Sequence, residues 1–425
     1  MYKDIICEGK KYKNVLEKER LERAFAALEN KKWKNIKVIG ITGTKGKTTT
    51  SWMLYNILKK AGKKCALCGT MGAYILEEYY EEKNTTPSIE ELVRLINLAE
   101  SKKCEYFIME VSSQGLKQCR VTGITFDYGI FTNISRDHIG IMEHENMEEY
   151  IFCKSMLFAK CKISILNRSD KEYLKMEKYI KGELYYYRLT HGDEKTEEDD
   201  YLSGKIIKSS IDTTSFKLYK NGSIQINDII ELPLPGRFNV ENALAAMTVA
   251  FLEKIPQKYM TEALKEFFVE GREEKIYLQN GAVVIIDYAH NHTSMESILK
   301  EMNKYRHNRI ISLFGCGGNR SLERRNKMGE ISGKYADLSI ITEDNSRFEE
   351  PSNIIKDIEK GILKTSGKYV IIQDRKKAIE YALDISTQGD IIMLLGKGHE
   401  KYQEKSGLKI PFSEKDIVNH WNKKH

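Results

Sequence analysis

Ile36-Lys37-Val38-Ile39-Gly40-Ile41-Thr42-Gly43-Thr44-Lys45-Gly46-Lys47-Thr48-Thr49-Thr50 is the stretch on which the reading of this chain turns. Its first half is an apolar run too short for a helix and suited to a buried strand. A glycine turn follows, and then Met53, Leu54, Ile57, Leu58 and Ala61 fall on one helical face, with Gly62 as the stop. A strand that turns through glycines into a helix aims backbone N–H groups and the positive helix end at an anion. The short form G-x-x-G-K-T makes that anion a nucleotide phosphate: Lys47 neutralises the β- and γ-phosphates and the Thr48 hydroxyl holds Mg²⁺. Gly43, Thr44, Gly46, Lys47, Thr48 and Thr49 are therefore the candidate phosphate-binding residues, and the implied cofactor is ATP. The longer form of the motif is broken, because Ile41 stands where its first glycine would be.

Outward from this loop, residues 1–36 read as a short helical extension, with Leu21, Ala24, Phe25 and Leu28 at helical spacing. Further strand-like runs are Tyr106–Val111, Tyr128–Thr132 and Ile163–Asn167. From about Asp170 to Leu232 the texture becomes tyrosine-rich and turn-punctuated, which predicts short antiparallel strands and loops, with the acidic Asp193–Asp200 as an exposed tip. Pro233-Leu234-Pro235-Gly236 breaks the chain before a helix over Val240–Phe251. A second α/β unit begins near Arg272, with strands over Val283–Asp287, Ile310–Phe314, Leu338–Thr342, Tyr369–Gln373 and Ile391–Leu395. Strands alternating with helices imply parallel sheets and right-handed crossovers, with ligands at the strands' carboxyl ends. The expected fold is α/β: a central P-loop ATPase domain with a mostly parallel sheet (37–271) and a C-terminal Rossmann-like domain (272–425).

A chain of 425 residues is too long for one core. Its 41% hydrophobic and 30% charged content is that of an ordinary globular protein. It has no apolar run of the roughly 18–20 residues that spans a bilayer, and its start is not a signal peptide. The formal charge of +7 comes from scattered lysines rather than a basic block with interleaved aromatics, which argues against nucleic acid and suits phosphate-rich small molecules. The eight cysteines are scattered, apart from Cys65 and Cys68, which lack the second pair a metal clip would need and read as semi-buried thiols at a strand. The expectation is a cytoplasmic protein with no membrane partner.

Ten motifs then stand in one order: Gly43–Thr49, Asn84–Pro87, Glu110–Ser113, Asn133–His138, Cys153-Lys154, Gly236–Asn242, Asp287–His290, the Gly315–Arg320 loop, Asp344–Pro351 and Gly396–Glu400. In this order the chain resembles the Mur ligase family over almost its whole length. The resemblance implies an ATP-dependent ligase that activates a carboxylate as an acyl phosphate and joins an amino acid to it. The members it most resembles add meso-diaminopimelate to a UDP-N-acetylmuramoyl-dipeptide in peptidoglycan synthesis.

The resemblance also implies roles. Lys47, Lys154 and His138 are the expected catalytic residues. Thr48, Glu110 and His138 are the expected ligands of Mg²⁺ or Mn²⁺, whose chemistry suits oxygen and imidazole donors. Lys154 stands where the family carries a carbamylated lysine, a modification that needs a neutral amine. Asn242, Asp287, Tyr288 and His290 would cradle adenine and ribose. Thr85, Thr86, Ser112, Gln118 and Arg120 would hold the acceptor. Arg320, Asn345, Arg347, Gly396 and Glu400 would read the incoming amino acid, with arginines clamping the distal carboxylate of diaminopimelate and Glu400 receiving its ammonium.

Three departures stand beside the likeness. About forty residues precede Gly43, where the family carries a UDP-gripping domain of roughly a hundred residues. The acceptor is then expected to be held without that grip, to be other than UDP-linked, or to be gripped by a partner chain. Gly140 stands where an acidic residue is usual, and Ser346 replaces the proline before Arg347. Two other readings share the loop: a folylpolyglutamate-synthase-like glutamate ligase, and a degenerate nucleotide-binding partner protein. The second would have lost Lys47, Glu110, His138 or Lys154, and all four are present.

Overall fold

A computed structural model describes residues 15–140, 143–190, 200–221, 224–305, 307–319 and 322–425. Residues 1–14 of the expected extension, most of the acidic tip, and Arg320 lie outside the described residues. The described chain forms two compact units. The first takes the residues up to Ser209 with Thr213–Pro233 and Arg237–Phe267; the second takes Ser210–Asp212, Leu234–Gly236 and everything from Phe268.

The first unit is built on one sheet of eleven strands: β1 (Lys37–Thr42), β2 (Cys65–Gly69), β3 (Gly72–Ile75), β4 (Glu78–Tyr80), β5 (Tyr106–Glu110), β6 (Phe126–Phe131), β7 (Cys161–Asn167), β8 (Glu183–Thr190), β9 (Asp200–Ser209), β10 (Thr214–Lys220) and β11 (Ile224–Leu232). Their order is β11-β10-β9-β8-β7-β6-β1-β5-β2-β3-β4. From β9 to β2 all neighbours run parallel, and an antiparallel strand pair extends each edge. β1 lies at the middle and is buried along nearly its whole length, which is why its sequence is continuously apolar rather than alternating. The helix Lys47–Lys60 turns Met53, Leu54, Ile57 and Leu58 inward, all fully buried.

Four expectations need correction. The stretch from Asp170 is not uniformly antiparallel: β8 pairs parallel with both β7 and β9, and only β9, β10 and β11 form a meander. Tyrosines at Tyr185–Tyr187 suit a strand of either direction, so texture alone could not settle the pairing. Asp200 is buried rather than at an exposed tip, with its Oδ1 3.3 Å from the Arg168 guanidinium. Cys65 and Cys68 lie inside β2 and are fully buried. In the helix Val15–Glu29, Ala24 and Ala27 enter the core while Phe25 is 51% exposed, so the packed face is rotated from the predicted one.

The second unit has a six-stranded sheet: β12 (Glu274–Tyr277), β13 (Val283–Asp287), β14 (Ile310–Phe314), β15 (Leu338–Ile341), β16 (Tyr369–Ile371) and β17 (Ile391–Leu395), ordered β12-β13-β17-β14-β15-β16. All pairs but β12–β13 are parallel. Strand period two sends Val283 and Ile285 into one core and Val284 and Ile286 into the other. The helices His292–Met302 and Pro351–Ile362 cover the first face, and Arg375–Asp384 with Glu414–Lys424 covers the second. A hairpin of β18 (Tyr402–Lys405) and β19 (Leu408–Pro411), missed in the sequence, follows β17.

Candidate active site

The phosphate loop sits at the carboxyl end of β1. Gly46 caps the helix Lys47–Lys60 in the left-handed conformation, φ 81°, with no side chain closing the helix N-terminus. A Cβ on Gly46 would come within 2.2 Å of Asn242 Oδ1, so glycine is required both by the turn and by that close approach. The helix begins at Lys47, Thr48 and Thr49, so its N-terminus and positive dipole end stand at the loop, the kind of helix start that receives an anion. Lys47 Nζ folds back onto Gly43 O at 2.8 Å and Thr44 O at 3.1 Å. The Asn133–His138 segment braces the loop: Thr44 N donates to Asn133 O, Lys45 N to Asn133 Oδ1, and Ser135 N to Thr44 Oγ1.

The β1–β5 register opposes Ile41 and Glu110, which brings a carboxylate to the loop. Thr48 Oγ1 donates to Glu110 Oε2 at 3.1 Å, and Thr70 donates to the same carboxylate from its hydroxyl at 3.0 Å and its N–H at 2.9 Å. A buried carboxylate flanked by two hydroxyls is a hard-oxygen donor set that fits Mg²⁺. His138, the third expected ligand, joins a different set of contacts. Its Nδ1 lies 3.2 Å from Glu143 Oε1 and its Nε2 3.7 Å from Asp137 Oδ2. It holds φ 54°, a left-handed value that costs a non-glycine residue roughly 1–2 kcal/mol and is commonest at functional sites. Glu143, three residues beyond Gly140, is the carboxylate that meets His138, on a turn that carries the hydrogen bonds Gly140 N→His144 O and His144 N→His138 O.

Lys154 is 1% exposed, and its ammonium meets Gly43 O at 2.7 Å and the Tyr150 ring at 4.7 Å. Burial first, and Lys47 second, push its pKa well below the ordinary lysine value. Tyr150 joins the parts: its hydroxyl lies 2.9 Å from Thr44 Oγ1 and its ring 6.1 Å from that of His138. Nothing in the sequence marked Tyr150, Thr70 or Glu143, since each acts through a contact distant from its own motif.

The expected acceptor residues form one cluster. Thr85 Oγ1 lies 3.1 Å from Thr70 Oγ1, and Thr86 Oγ1 donates to Glu110 O at 3.0 Å and accepts from Ser112 N at 2.9 Å. Ser112 caps the helix Ser113–Lys117. Arg120 donates to Thr86 O at 2.8 Å and to Gln118 Oε1 at 2.6 Å, leaving the rest of its fork for a carboxylate. Asn242 accepts from Thr50 Oγ1 at 3.2 Å, on the helix Arg237–Leu252.

In the second unit the carboxyl ends of β13, β17, β14 and β15 gather the remaining residues. Asp287 accepts from Glu273 N and Ala289 N, and the Tyr288 ring meets those of His290 (4.7 Å) and His399 (5.0 Å) at tilted angles, with the Arg272 guanidinium 4.7 Å over it. Gly396, φ 113°, donates its N–H to Asp287 O, and a Cβ there would lie 2.7 Å from Asp344 Oδ2. Asn345 Nδ2 donates to Glu400 Oε2 at 2.8 Å. Both are bound by Lys397, which is wholly buried: its Nζ lies 3.0 Å from Asn345 Oδ1, 3.2 Å from Glu400 Oε2 and 3.5 Å from Asp344 Oδ1. Arg347, at φ 53°, donates to Gly318 O at 3.0 Å, on the loop that leads to Arg320.

The sequence matches the Mur ligase middle domain over residues 41–250 and the Mur ligase, glutamate ligase domain over 271–398. The UDP-N-acetylmuramoyl-L-alanyl-D-glutamate–2,6-diaminopimelate ligase of Caldanaerobacter subterraneus subsp. tengcongensis is 42% identical over 90% of this chain and 77% of its own length. This chain belongs to the Mur ligase family. A solved UDP-N-acetylmuramoyl-L-alanyl-D-glutamate–2,6-diaminopimelate ligase superposes with a TM-score of 0.64 at 27% identity, over 96% of this chain and 83% of that one. A folylpolyglutamate synthase from Thermotoga maritima, at 19% identity and a TM-score of 0.65, shares the fold.

Mur ligases are ATP-dependent amide-forming enzymes, and ATP with Mg²⁺ is the family's requirement. Within each unit taken by itself, several of the Mur ligase motifs, distant in sequence, stand at the carboxyl ends of parallel strands. Among the described residues no helix is long and apolar enough to cross a membrane.

Proposed function

We propose that this Mur ligase adds meso-diaminopimelate to a UDP-N-acetylmuramoyl-dipeptide, as the relatives' names describe for those enzymes. The supporting observation is the second unit's cluster: Asn345 and Glu400 held by buried Lys397, with the Arg347 guanidinium nearby in sequence and fixed on the Gly318 loop. An amino acid ending in both an ammonium and a carboxylate matches a carboxylate and guanidinium presented together. A lysine ligase has no distal carboxylate for Arg347.

In the first unit an acceptor carboxylate oxygen attacks the γ-phosphorus of ATP and ADP leaves. The amine of the incoming amino acid then attacks the acyl carbon and phosphate departs. Lys47 and the helix N-terminus neutralise the charge on the transferring phosphoryl group, and Arg120 fixes the acceptor by a carboxylate. Thr48 and Glu110, with His138, would hold Mg²⁺, which supplies positive charge at the phosphates. Of the residues expected at the nucleoside, Asn242 belongs to the first unit and Asp287, Tyr288 and His290 to the second; Thr85, Thr86, Ser112 and Gln118 are assigned to the acceptor.

Lys154 is proposed to react with CO₂: the neutral amine attacks carbon, a proton leaves to solvent, and an anionic carbamate forms. Its burial, which pushes the amine's pKa well below the ordinary lysine value, favours this, and the carbamate keeps one N–H for Gly43 O. Labelled bicarbonate should give a carbamate signal that vanishes in Lys154→Met; a signal unchanged in that variant rejects the assignment.

The deciding experiment is phosphate release with UDP-N-acetylmuramoyl-L-Ala-D-Glu as acceptor and diaminopimelate, lysine or glutamate offered in parallel, with product mass read at the end. A diaminopimelate adduct is expected, and loss of release in Lys47→Ala and His138→Ala. A lysine or glutamate adduct alone would overturn the amino-acid assignment. Turnover only after adding a second, uridine-binding chain would support a partner at that end of the acceptor.

A further inference from the structure

The helix Met147–Ser155 carries Glu149 and Cys153 one turn apart, on the same face. His144 precedes this helix, 0% exposed, and brings its Nδ1 to that face. The imidazole nitrogen, a Glu149 carboxylate oxygen and the Cys153 sulfur all lie within 4.8 Å of one another. His144 Nδ1 is 3.7 Å from Glu149 Oε2 and has no hydrogen-bond partner among the described residues. The other ring nitrogen, Nε2, is already fixed at 2.9 Å from Ser113 Oγ. A metal-bound histidine shows the same division: one nitrogen oriented by a neighbour, the other free for the ion.

Packing alone accounts for part of this. The His144 ring lies 5.2 Å from the Tyr150 ring, which explains why an imidazole is buried here. It does not explain a buried ring nitrogen left without a hydrogen bond and turned toward a thiol and a carboxylate, since buried polar atoms are nearly always satisfied.

We propose that His144, Glu149 and Cys153 form a second metal site, separate from the Mg²⁺ ligands, that takes one thiophilic divalent cation of the Zn²⁺ class. One nitrogen, one sulfur and one carboxylate oxygen are the donors such an ion selects over Mg²⁺, and three protein ligands leave the fourth tetrahedral position to water. Zn–N and Zn–S bonds of about 2.0–2.3 Å imply tetrahedral ligand separations of roughly 3.3–3.7 Å, so the set, now within 4.8 Å, closes on the ion by side-chain rotation. Binding forms the metal–sulfur bond and releases the Cys153 thiol proton to solvent. Lys117 lies 2.8 Å from Glu149 Oε1, while Oε2, on the His144 side, accepts from Glu145 N at 2.7 Å and has a second lone pair for an ion.

The site joins three parts of the active region. His144 closes the turn that holds His138, its Nε2 meets the Ser113 helix of the acceptor cluster, and Cys153 is the residue before Lys154. An ion here fixes these parts relative to one another.

The test uses the full chain, stripped with chelator and titrated with Co²⁺ as a spectroscopic stand-in. One equivalent should give tetrahedral d–d bands and a thiolate-to-metal charge-transfer band, both abolished by added Zn²⁺. Cys153→Ser should lose the charge-transfer band and His144→Gln should weaken binding at least tenfold, whereas Cys119→Ser, a control on a more exposed thiol, keeps both. Circular dichroism of each variant verifies folding, and Glu149→Gln provides a third variant if either of the first two fails to fold. Absence of stoichiometric binding to the intact chain, or a charge-transfer band that survives Cys153→Ser, overturns the proposal.

Discussion

Lys154 and Lys397 are both almost completely buried, one in each unit, and they are accommodated in opposite ways. Lys397 has Asp344 and Glu400 within ion-pair distance and a hydrogen bond to Asn345. Lys154 has a backbone carbonyl and an aromatic ring, with no carboxylate within salt-bridge distance among the described residues, and Lys47 adds repulsion. Burial without a counter-ion disfavours the charged form. One unit thus surrounds a buried lysine with carboxylates and an amide that it holds together, and the other buries one where its charged form is disfavoured. The residue type is identical; the carboxylates brought by folding make the difference.

Exchanging each lysine for methionine separates the two. Lys154→Met should lower phosphate release on the order of 10²–10³-fold, the scale of losing one preorganised electrostatic group. Its denaturation midpoint should hold or rise, because an apolar chain replaces a poorly solvated amine. Activity near the native level would remove Lys154 from the chemistry. Lys397→Met should instead destabilise the second unit by about 3–5 kcal/mol, since Asp344 and Glu400 would remain buried without their cation. Equal stability losses in the two variants, measured by urea unfolding, would erase the contrast.

Two histidines extend the contrast to protons. Burial pushes His144 in the first unit and His399 in the second down to about 4 from the ordinary 6.5. Above pH 6.5 each is neutral both folded and unfolded. Between 6.5 and about 4 only the unfolded chain takes up the proton, so stability falls as pH is lowered through that window. The thermal midpoint of metal-free protein should drop there, and His399→Gln should make the decline shallower. An unchanged slope would mean that His399 is charged in the folded chain.

The smallest effect concerns a helix end. Ser88 caps the helix Ile89–Ser101 by accepting from Glu91 N at 3.3 Å. Ser88→Ala should cost about 1 kcal/mol and leave phosphate release unchanged, a reference against which the buried-lysine variants can be scaled.

Much of the architecture was legible because it rests on local regularities. β1, the helix after it and all five strands predicted in the second unit follow from apolar runs and glycine punctuation. β8 was misread because pairing direction depends on which strand lies alongside, and no residue within β8 records that. Likewise Phe25 satisfies the helical period yet faces outward, since the packed face depends on where the neighbouring helix lies. The hairpin of β18 and β19 went unseen because each strand is only four residues long and the first, Tyr402–Lys405, is mostly polar, too little pattern to read.

By itself the sequence determined the order of motifs, the strand–turn–helix that offers N–H groups to phosphate, and the residue types available for chemistry. Those follow from backbone geometry and side-chain chemistry, which act over a few residues. Only the tertiary structure decided that Glu110 meets Thr48 and Thr70, that Glu143 meets His138, and that Lys154 is buried with no carboxylate in salt-bridge distance among the described residues while Lys397 is buried with two. Ionisation and coordination depend on which charges and dipoles lie within a few ångströms, and folding brings those together from distant parts of the chain.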